Sequence, residues 1–387
     1  MSQDTFTTVT NRSWFGRMGN SFGGALFGLV AFLLSFALLF WNEGRAVQRA
    51  KTLEAGERHV VSVAASPILP ENDGRLVHVT GEVTAGAAVA DPVFGLEWEA
   101  LRLRRSVEMF QWVEESKSET REKLGGGEET TTTYTYSKRW ESSPVDSSAF
   151  AQPAGHQNPK RFPVEPETFA APEIQLGDFG LSESLVDQLG GFEDVTLGAD
   201  DADVASGETG RDLRAVDGAL FLGADPTSPQ VGDVRIAFSA VFPGVYSIVA
   251  GQSGDGLAAF DVPKLGTLEM AAQGAVSSEA MFRAEREGNA ILTWLLRLAG
   301  FVFMTLGLNL MISPLAVFAS VVPFFGRIVG AGIGFIAIAL ALPLTLVTIG
   351  VAWLAYRPWI GIPLLVLAAA AFVFGILRWR KARPVAA

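Results

Sequence analysis

The stretch SFGGALFGLVAFLLSFALLFW, Ser21 to Trp41, decides how this chain is built. It carries no charge and matches the ~20 apolar residues that a helix needs to cross the hydrocarbon core of a bilayer. It is too long for the apolar part of a cleaved signal peptide. The residues that follow, Asn42, Glu43, Gly44 and Arg45, offer no small-residue cleavage site, so it reads as an uncleaved signal anchor. A second strongly apolar block, Ile291 to Leu377, contains no acidic residue. Between the blocks lies a polar segment, residues 42–290. Hydrophobic residues make up 49% of the chain and the mean hydropathy is +0.29, with the excess gathered in these runs.

The C-terminal block divides at its prolines and charges. One span is expected over residues 291–313, ending at Ser313-Pro314. A second covers residues 328–356; as ideal helix it would be ~42 Å long, so tilt or a kink at Pro343 absorbs the surplus. A third covers residues 359–377. The apolar piece Leu315 to Phe325 is too short to cross and is assigned to an interfacial loop, residues 314–327. The expected fold class is therefore an α-helical membrane protein with four transmembrane helices, one N-terminal and three C-terminal, plus a large β-rich (α+β) extracytoplasmic domain.

Charge orients this layout. The chain has a net charge of -11; residues 1–41 carry +1 and residues 291–387 carry +7, so residues 42–290 hold -19. The basic tail, residues 378–387, is expected in the cytoplasm. Four crossings put the N-terminal residues 1–20, with Arg12 and Arg17, on the same side as that tail and as Arg327. The acidic segment 42–290 is then outside. Arg45, Arg49 and Lys51 oppose this assignment, but long domains translocate largely regardless of charge. An acidic domain excludes nucleic acid as a partner, which requires a basic footprint. Cysteine is absent, so disulfides and thiolate chemistry are excluded.

Within 42–290 the pattern is mainly period-two. Arg75 to Val83 alternates as a strand does. Leu101 to Glu115 and Thr130 to Glu141 read as the arms of a long hairpin joined through Gly125-Gly126-Gly127. Phe110 and Trp112 share a face of the first arm, and Tyr134, Tyr136 and Trp140 share one of the second, an ordinary sheet face. Further strands are expected at Asp233–Val241, Val245–Ala250 and Leu257–Asp261, with a short helix at Ser182–Leu189. The proline-rich stretch Pro144 to Pro172 reads as irregular chain wrapping the surface or linking subdomains. From Ser277 a helical pattern starts and runs toward the second span, with Gly288-Asn289 as its weak point.

Signals for catalysis are poor. His59, His78 and His156 lack the i, i+4 spacing of a zinc helix. Gly251 to Gly256 superficially resembles a nucleophile elbow, but its second glycine is misplaced, and a hairpin turn is the reading. Asp200, Asp201 and Asp203, near Glu193 and Asp194, are weak metal candidates without the spacing of an EF-hand loop. No metal, cofactor or catalytic residue is assigned. In the membrane part, Gly24 and Gly28, and Gly326, Gly330 and Gly334, recur every four residues and suit close helix packing, within a protomer or between protomers. Asn309 is expected to hydrogen-bond a neighbouring helix, and Arg297 to snorkel at the outer end of its span. With no acidic residue expected inside a span, a pump or coupled transporter is disfavoured.

Several ordered blocks, read together, resemble the transmembrane protein 43 (LUMA) family. They are Ala31 to Phe36 through Asn42, Glu43, Gly44, Arg45 and Ala46; Glu71 to His78, with Gly74 and Arg75; and Leu103 to Glu114, with Arg104, Arg105, Glu108, Gln111 and Trp112. Gly155 to Pro159, with His156, Asn158 and Pro159, Val231 to Arg235, with Gly232 and Asp233, Gly307 to Met311, and Tyr356 to Pro358 continue the series. The resemblance implies one N-terminal span, a large lumenal-type domain and three C-terminal spans. It also implies a membrane organiser that is not an enzyme. Animal members are associated with the endoplasmic reticulum and inner nuclear membrane, self-associate, and contact lamina and envelope proteins such as emerin. The Ala/Gly-rich, Cys-free composition points to a bacterial relative, in an inner membrane with a periplasmic domain.

The expectation is thus a non-enzymatic, homo-oligomeric membrane scaffold that engages membrane lipids and other envelope or membrane proteins. The alternative is a channel or channel subunit formed by the C-terminal helices.

Overall fold

The structure is a computed structural model that describes residues 4–321, 323–359 and 361–363. They fall into two compact units. One comprises residues 4–8, 52–119 and 131–284; the other comprises residues 9–51, 120–130 and those from Glu285 onward. The helices are α1 (Trp14–His59), α2 (Glu183–Gln188), α3 (Ala199–Thr209), α4 (Ser278–Ala319) and α5 (Pro323–Tyr356). Strands are named below by their residues.

The β-rich unit is built on two sheets. In the larger, the order is Asp4–Arg12, Glu128–Glu141, Arg102–Glu122, Val234–Val241, Ala219–Leu222, Leu213–Val216; short strands Glu167–Ala170 and Glu193–Val195 pair off this path. Alternation dictates the pairing at its centre. Leu103, Val107 and Met109 are buried on one strand, and Val234, Ile236 and Ala240 on its antiparallel neighbour. The register sets Ile236 opposite Val107 and Val234 opposite Met109, so apolar side chains from both strands enter one core. The turn Asp217-Gly218 has both residues at positive φ, as a two-residue hairpin requires.

The second sheet contains a closed ring. Leu76–Thr84 pairs with Gly244–Ser253, which pairs with Gly256–Ala258; that strand pairs with Phe179–Leu181, then Gln175–Leu176, which returns to Leu76–Thr84. Five strands therefore form a small closed barrel without free edges. Leu76, Val77, Val79, Val83, Ile248 and Ala250 are fully buried along its two long strands. A second apolar cluster joins Leu53 on α1, Leu76, Val249, Leu268, and Met281 and Phe282 on α4. Gly56 makes room there, because a Cβ would run into Leu268.

Most strand expectations hold in outline, with shifted bounds. The hairpin arms are longer, Arg102–Glu122 and Glu128–Glu141, because Ser118 and Thr120 continue to pair with Thr132 and Thr130 through their hydroxyls. The expected strand Leu257–Asp261 is two short strands, Gly256–Ala258 and Phe260–Val262, which pair with different neighbours. Gly251 to Gly256 does make a hairpin, with Gly254 at φ +57. Helix α2 starts after the Ser182 cap, whose hydroxyl accepts from Leu185 N at 3.4 Å.

Among the described residues, three helices are long and apolar enough to cross a membrane: α1, α4, and α5 over Gly332–Tyr356. The fourth expected span, residues 359–377, lies outside the described residues apart from 359 and 361–363, as does the tail 378–387. In the helical unit, Leu39 of α1 packs with Met304 and Leu308 of α4 and Ala337 and Ala341 of α5.

Helix ends differ from the sequence reading. Helix α1 does not stop at Trp41 but runs to His59, since Ala46 through Leu53 contains no helix breaker. Helix α4 passes through Gly288-Asn289 without interruption and through Pro314, ending at Ala319. Pro314 cannot donate to the carbonyl of Leu310, but the Ser313 hydroxyl donates to it at 2.8 Å, so the helix continues. Leu315 to Ala319 is therefore helix and not an interfacial loop.

Candidate functional site

The sequence blocks singled out above gather in two places, one in each unit. In the helical unit, Asn42, Glu43, Gly44 and Arg45 lie on one turn of α1, immediately after its apolar run. Glu43 is 1% exposed, and Arg297 of α4 grips it with two hydrogen bonds, Nε to Oε1 at 2.6 Å and an NH2 nitrogen to Oε2 at 2.9 Å. Trp353 of α5 donates its indole N–H to Oε2 at 2.8 Å. One carboxylate thus ties three helices together. The Arg297 guanidinium also lies over the ring of Trp294 at 4.7 Å.

This overturns two expectations. Arg297 does not snorkel outward: a carboxylate on the neighbouring helix offers a bidentate partner, which desolvated guanidinium prefers to an apolar surround. The argument from acid-free spans also missed Glu43, which the continuing α1 places inside the helix bundle.

Beside this clamp runs a second polar chain. Asn42 Nδ2 donates to the Thr293 carbonyl at 3.1 Å. Arg45 donates to Asn289 Oδ1 and Thr293 Oγ1, each at 3.0 Å, and to Asn42 Oδ1 at 3.3 Å. Asn289 Nδ2 reaches the carbonyl of Ala46 at 3.0 Å, and Arg49 pairs with Glu285 at 2.6 Å. Gly44 accommodates Tyr356: a Cβ there would lie 2.7 Å from its ring. Together these side chains form a polar belt that closes one end of the α1–α4–α5 bundle.

The glycine stripes have different surroundings. Gly28 and Gly307 mark the closest approach of α1 and α4; a Cβ on Gly28 would stand 2.8 Å from the Gly307 carbonyl oxygen. Gly24 faces Leu310 more loosely, at 4.0 Å. Gly334 of α5 has no described residue within 4 Å of where a Cβ would stand. The surroundings of Gly326 and Gly330 lie outside the described residues. Asn309, expected to bond a neighbouring helix, is half-buried and makes no side-chain hydrogen bond to any described residue.

The second cluster centres on strand Arg102–Glu122. His156 stacks on Tyr136 at 3.8 Å and meets Trp112 edge-on at 4.7 Å; its Nδ1 bonds the Gln152 carbonyl and its Nε2 the Asp4 carboxylate, both at 2.9 Å. Burial, followed by the hydrogen bond to Glu114, pushes the Tyr136 hydroxyl up to about 12. Asn158 accepts from Trp112 N and donates to Trp112 O, acting as a surrogate strand partner, while Pro159 packs near Gly232. Gly232, at φ +100, donates to Phe110 O, and Asp233 O accepts from Phe110 N. Glu108 pairs with Arg235 at 2.7 Å. Gln111 bridges Ser143 O and Val145 N. The irregular chain from Pro144 is therefore laced onto the aromatic face.

The remaining residues brace the fold. Arg105 is 2% exposed and pairs with fully buried Asp91 at 2.5 Å and with Glu167 at 3.0 Å; Arg104 lies 3.7 Å over Phe192. Gly74, at φ +73, makes a turn beside Arg75, which donates to Asn72. His78 bonds the Val276 carbonyl at 3.0 Å. Asp200, Asp201 and Asp203 sit at the start of α3, where Asp201 accepts from Gly198 N at 2.8 Å. Among the described residues no group of three His, Asp or Glu could hold a metal ion.

A small closed barrel, a larger sheet and three apolar helices tied by a polar belt define a multi-pass membrane protein with a large β-rich domain. Residues 109–358 match the family described as Transmembrane protein 43. The chain is 37% identical over 356 residues to Transmembrane protein 43 of Pongo abelii, covering 88% of this chain and 86% of that one. It is 36% identical over 364 residues to the Homo sapiens protein of the same name, covering 91% and 89%, and 29% identical over 361 residues to the Drosophila melanogaster homolog, covering 90% and 93%. The chain belongs to the transmembrane protein 43 family. No solved structure matches it.

Proposed function

We propose that the protein is a non-enzymatic, self-associating membrane scaffold whose extracytoplasmic domain organises neighbouring membrane proteins or lipids, in a bacterial inner membrane with the domain in the periplasm. The observation that carries this reading is how the polar groups at the helix ends are used. Among the described residues, the side-chain donors to Glu43 come from the other two helices, which suits a rigid anchor. Self-association draws on α5: the Gly28–Gly307 contact is consumed within the protomer, while Gly334, beside Phe335 and Ile338, meets no other described residue. Light scattering of the detergent-solubilised protein tests this, together with crosslinking in native membranes and mass spectrometry. An oligomer that Gly334→Leu reduces to monomer is expected. A monomer with no crosslinked neighbour would sink the reading.

A further inference from the structure

Charge in the polar belt does not balance, and the surplus sits on one side chain. Glu43 is neutralised by Arg297, and Glu285 by Arg49. Arg45 donates only to uncharged acceptors: to Asn289 Oδ1 and Thr293 Oγ1, each at 3.0 Å, and to Asn42 Oδ1 at 3.3 Å. Those contacts use three of the five N–H donors that a guanidinium carries. Its Nε is shielded from water and has no partner among the described residues. A half-buried cation with neutral neighbours, at the mouth of an apolar bundle, attracts an anion.

On the same face of α1 lies a cleft. Phe27, Ala31, Leu34, Leu38 and Trp41 recur at spacings of three and four, and Arg45 continues the stripe one turn beyond Trp41. With Phe303 of α4, these five apolar residues line a cleft of about 490 Å³. From Phe27 to Trp41 it runs along about 21 Å of helix, more than the ~15 Å depth of one leaflet. The Ser35 hydroxyl on its wall is turned to the Phe32 carbonyl at 2.6 Å, so the wall is apolar as far as Trp41. Trp41 and Trp294 are both exposed where the apolar runs of α1 and α4 meet the belt, the depth at which interfacial tryptophans sit.

We propose that the cleft and Arg45 form one binding site for an anionic glycerophospholipid, with an acyl chain along α1 beside Phe303 and the headgroup phosphate on the Arg45 guanidinium. The two halves together select this occupant. A free phosphate leaves the cleft unused, and an apolar helix, from a second copy or from elsewhere in the chain, leaves the cation unmatched. The inference deepens the reading of a scaffold that organises lipids. It rests on α1 and α4 crossing the membrane, not on self-association.

Native mass spectrometry of the detergent-solubilised protein, offered dioleoyl phosphatidylglycerol or dioleoyl phosphatidylcholine, tests the site. Phosphatidylglycerol should be retained about tenfold more strongly. Arg45→Met should abolish that preference, and Ala31→Trp should exclude both lipids by filling the cleft. Lys51→Met, which removes an equal charge from an exposed position on α1, should leave the preference unchanged. Unfolding midpoints in lipid-free detergent keep a folding defect apart from lost binding: added phosphatidylglycerol should raise the midpoint of the parent and of Lys51→Met, but not of Arg45→Met. If Arg45→Met does not fold, photolabelling of the parent by a phosphatidylglycerol with a diazirine acyl chain decides, and label should concentrate on Leu34, Leu38 and Phe303. Equal retention of the two lipids, an Arg45→Met or Ala31→Trp protein that binds as the parent does, a Lys51→Met protein that loses the preference, or label spread evenly over the exposed helix faces overturns the proposal. So does a Leu34→Cys protein that crosslinks in native membranes to a second copy or to residues 364–387 of its own chain, since either then fills the cleft. Light scattering separates the two readings: a monomer that keeps the preference spares the site and sinks self-association, whereas an oligomer without it sinks the site alone.

Discussion

Removing the Arg297 guanidinium is the sharpest perturbation of the polar belt. Glu43 is 1% exposed and the Arg297 side chain 15%, so neither charge can be rehydrated without opening the bundle. Arg297→Met keeps the apolar stem but deletes two charge-assisted hydrogen bonds, leaving the carboxylate with the Trp353 indole alone. Stranding one partner of a buried pair costs roughly 3–5 kcal/mol. For a protein of this size that corresponds to a fall of roughly 4–6 °C in the midpoint of thermal unfolding. Glu43→Gln strands the guanidinium instead and should cost about 3 kcal/mol. In the double variant both charges are gone, so the losses should not add; a coupling of about 2 kcal/mol is expected. The assay is unfolding in one detergent, followed by tryptophan fluorescence, for the four proteins of the cycle. Arg297→Met unfolding at the parental midpoint, or a double variant whose loss equals the sum of the singles, would refute the clamp.

Further expectations follow from packing and titration. Gly28→Leu should destabilise the helical unit by about 1–3 kcal/mol, since its side chain must displace the α4 backbone at Gly307, whereas Gly334→Ala should leave unfolding unchanged. Arg105→Ala should cost about 3–5 kcal/mol by leaving fully buried Asp91 unpaired, measured as loss of soluble-domain signal in circular dichroism on heating. Tyr136 is held protonated up to about 12, above its ordinary value near 10. A raised acid stabilises the folded state fully below pH 10, and that contribution is lost as pH rises from about 10 to 12. The pH dependence of unfolding should therefore fall in that window and flatten in Tyr136→Phe; an unchanged slope would count against the burial of this hydroxyl. Ser313→Ala should cost about 1 kcal/mol by freeing the Leu310 carbonyl.

Sequence alone determined the large divisions and the family. Apolar runs of bilayer length, an acidic β-patterned middle and the ordered blocks from Asn42 to Pro358 are properties of neighbouring residues, which periodicity and composition register directly. The alternation around Leu103–Met109 and Val234–Ala240 likewise announced two paired strands. Tertiary structure alone decided the partners. Glu43 and Arg297 are 254 residues apart, and Arg297 reads locally as a snorkelling cation, because a single span contains no sign of its neighbour's charge. Closure of the five-strand ring depends on two-residue pairings that carry no pattern of their own. Pro314 looked like a helix end until the Ser313 hydroxyl was seen to take up the Leu310 carbonyl. The hairpin tip reads as a polar turn in sequence; only the convergence of Arg17, Glu122, Glu128 and Ser320 ties it to the first turn of α1. Local pattern fixes which residues are buried, and long-range contact fixes what they are buried against.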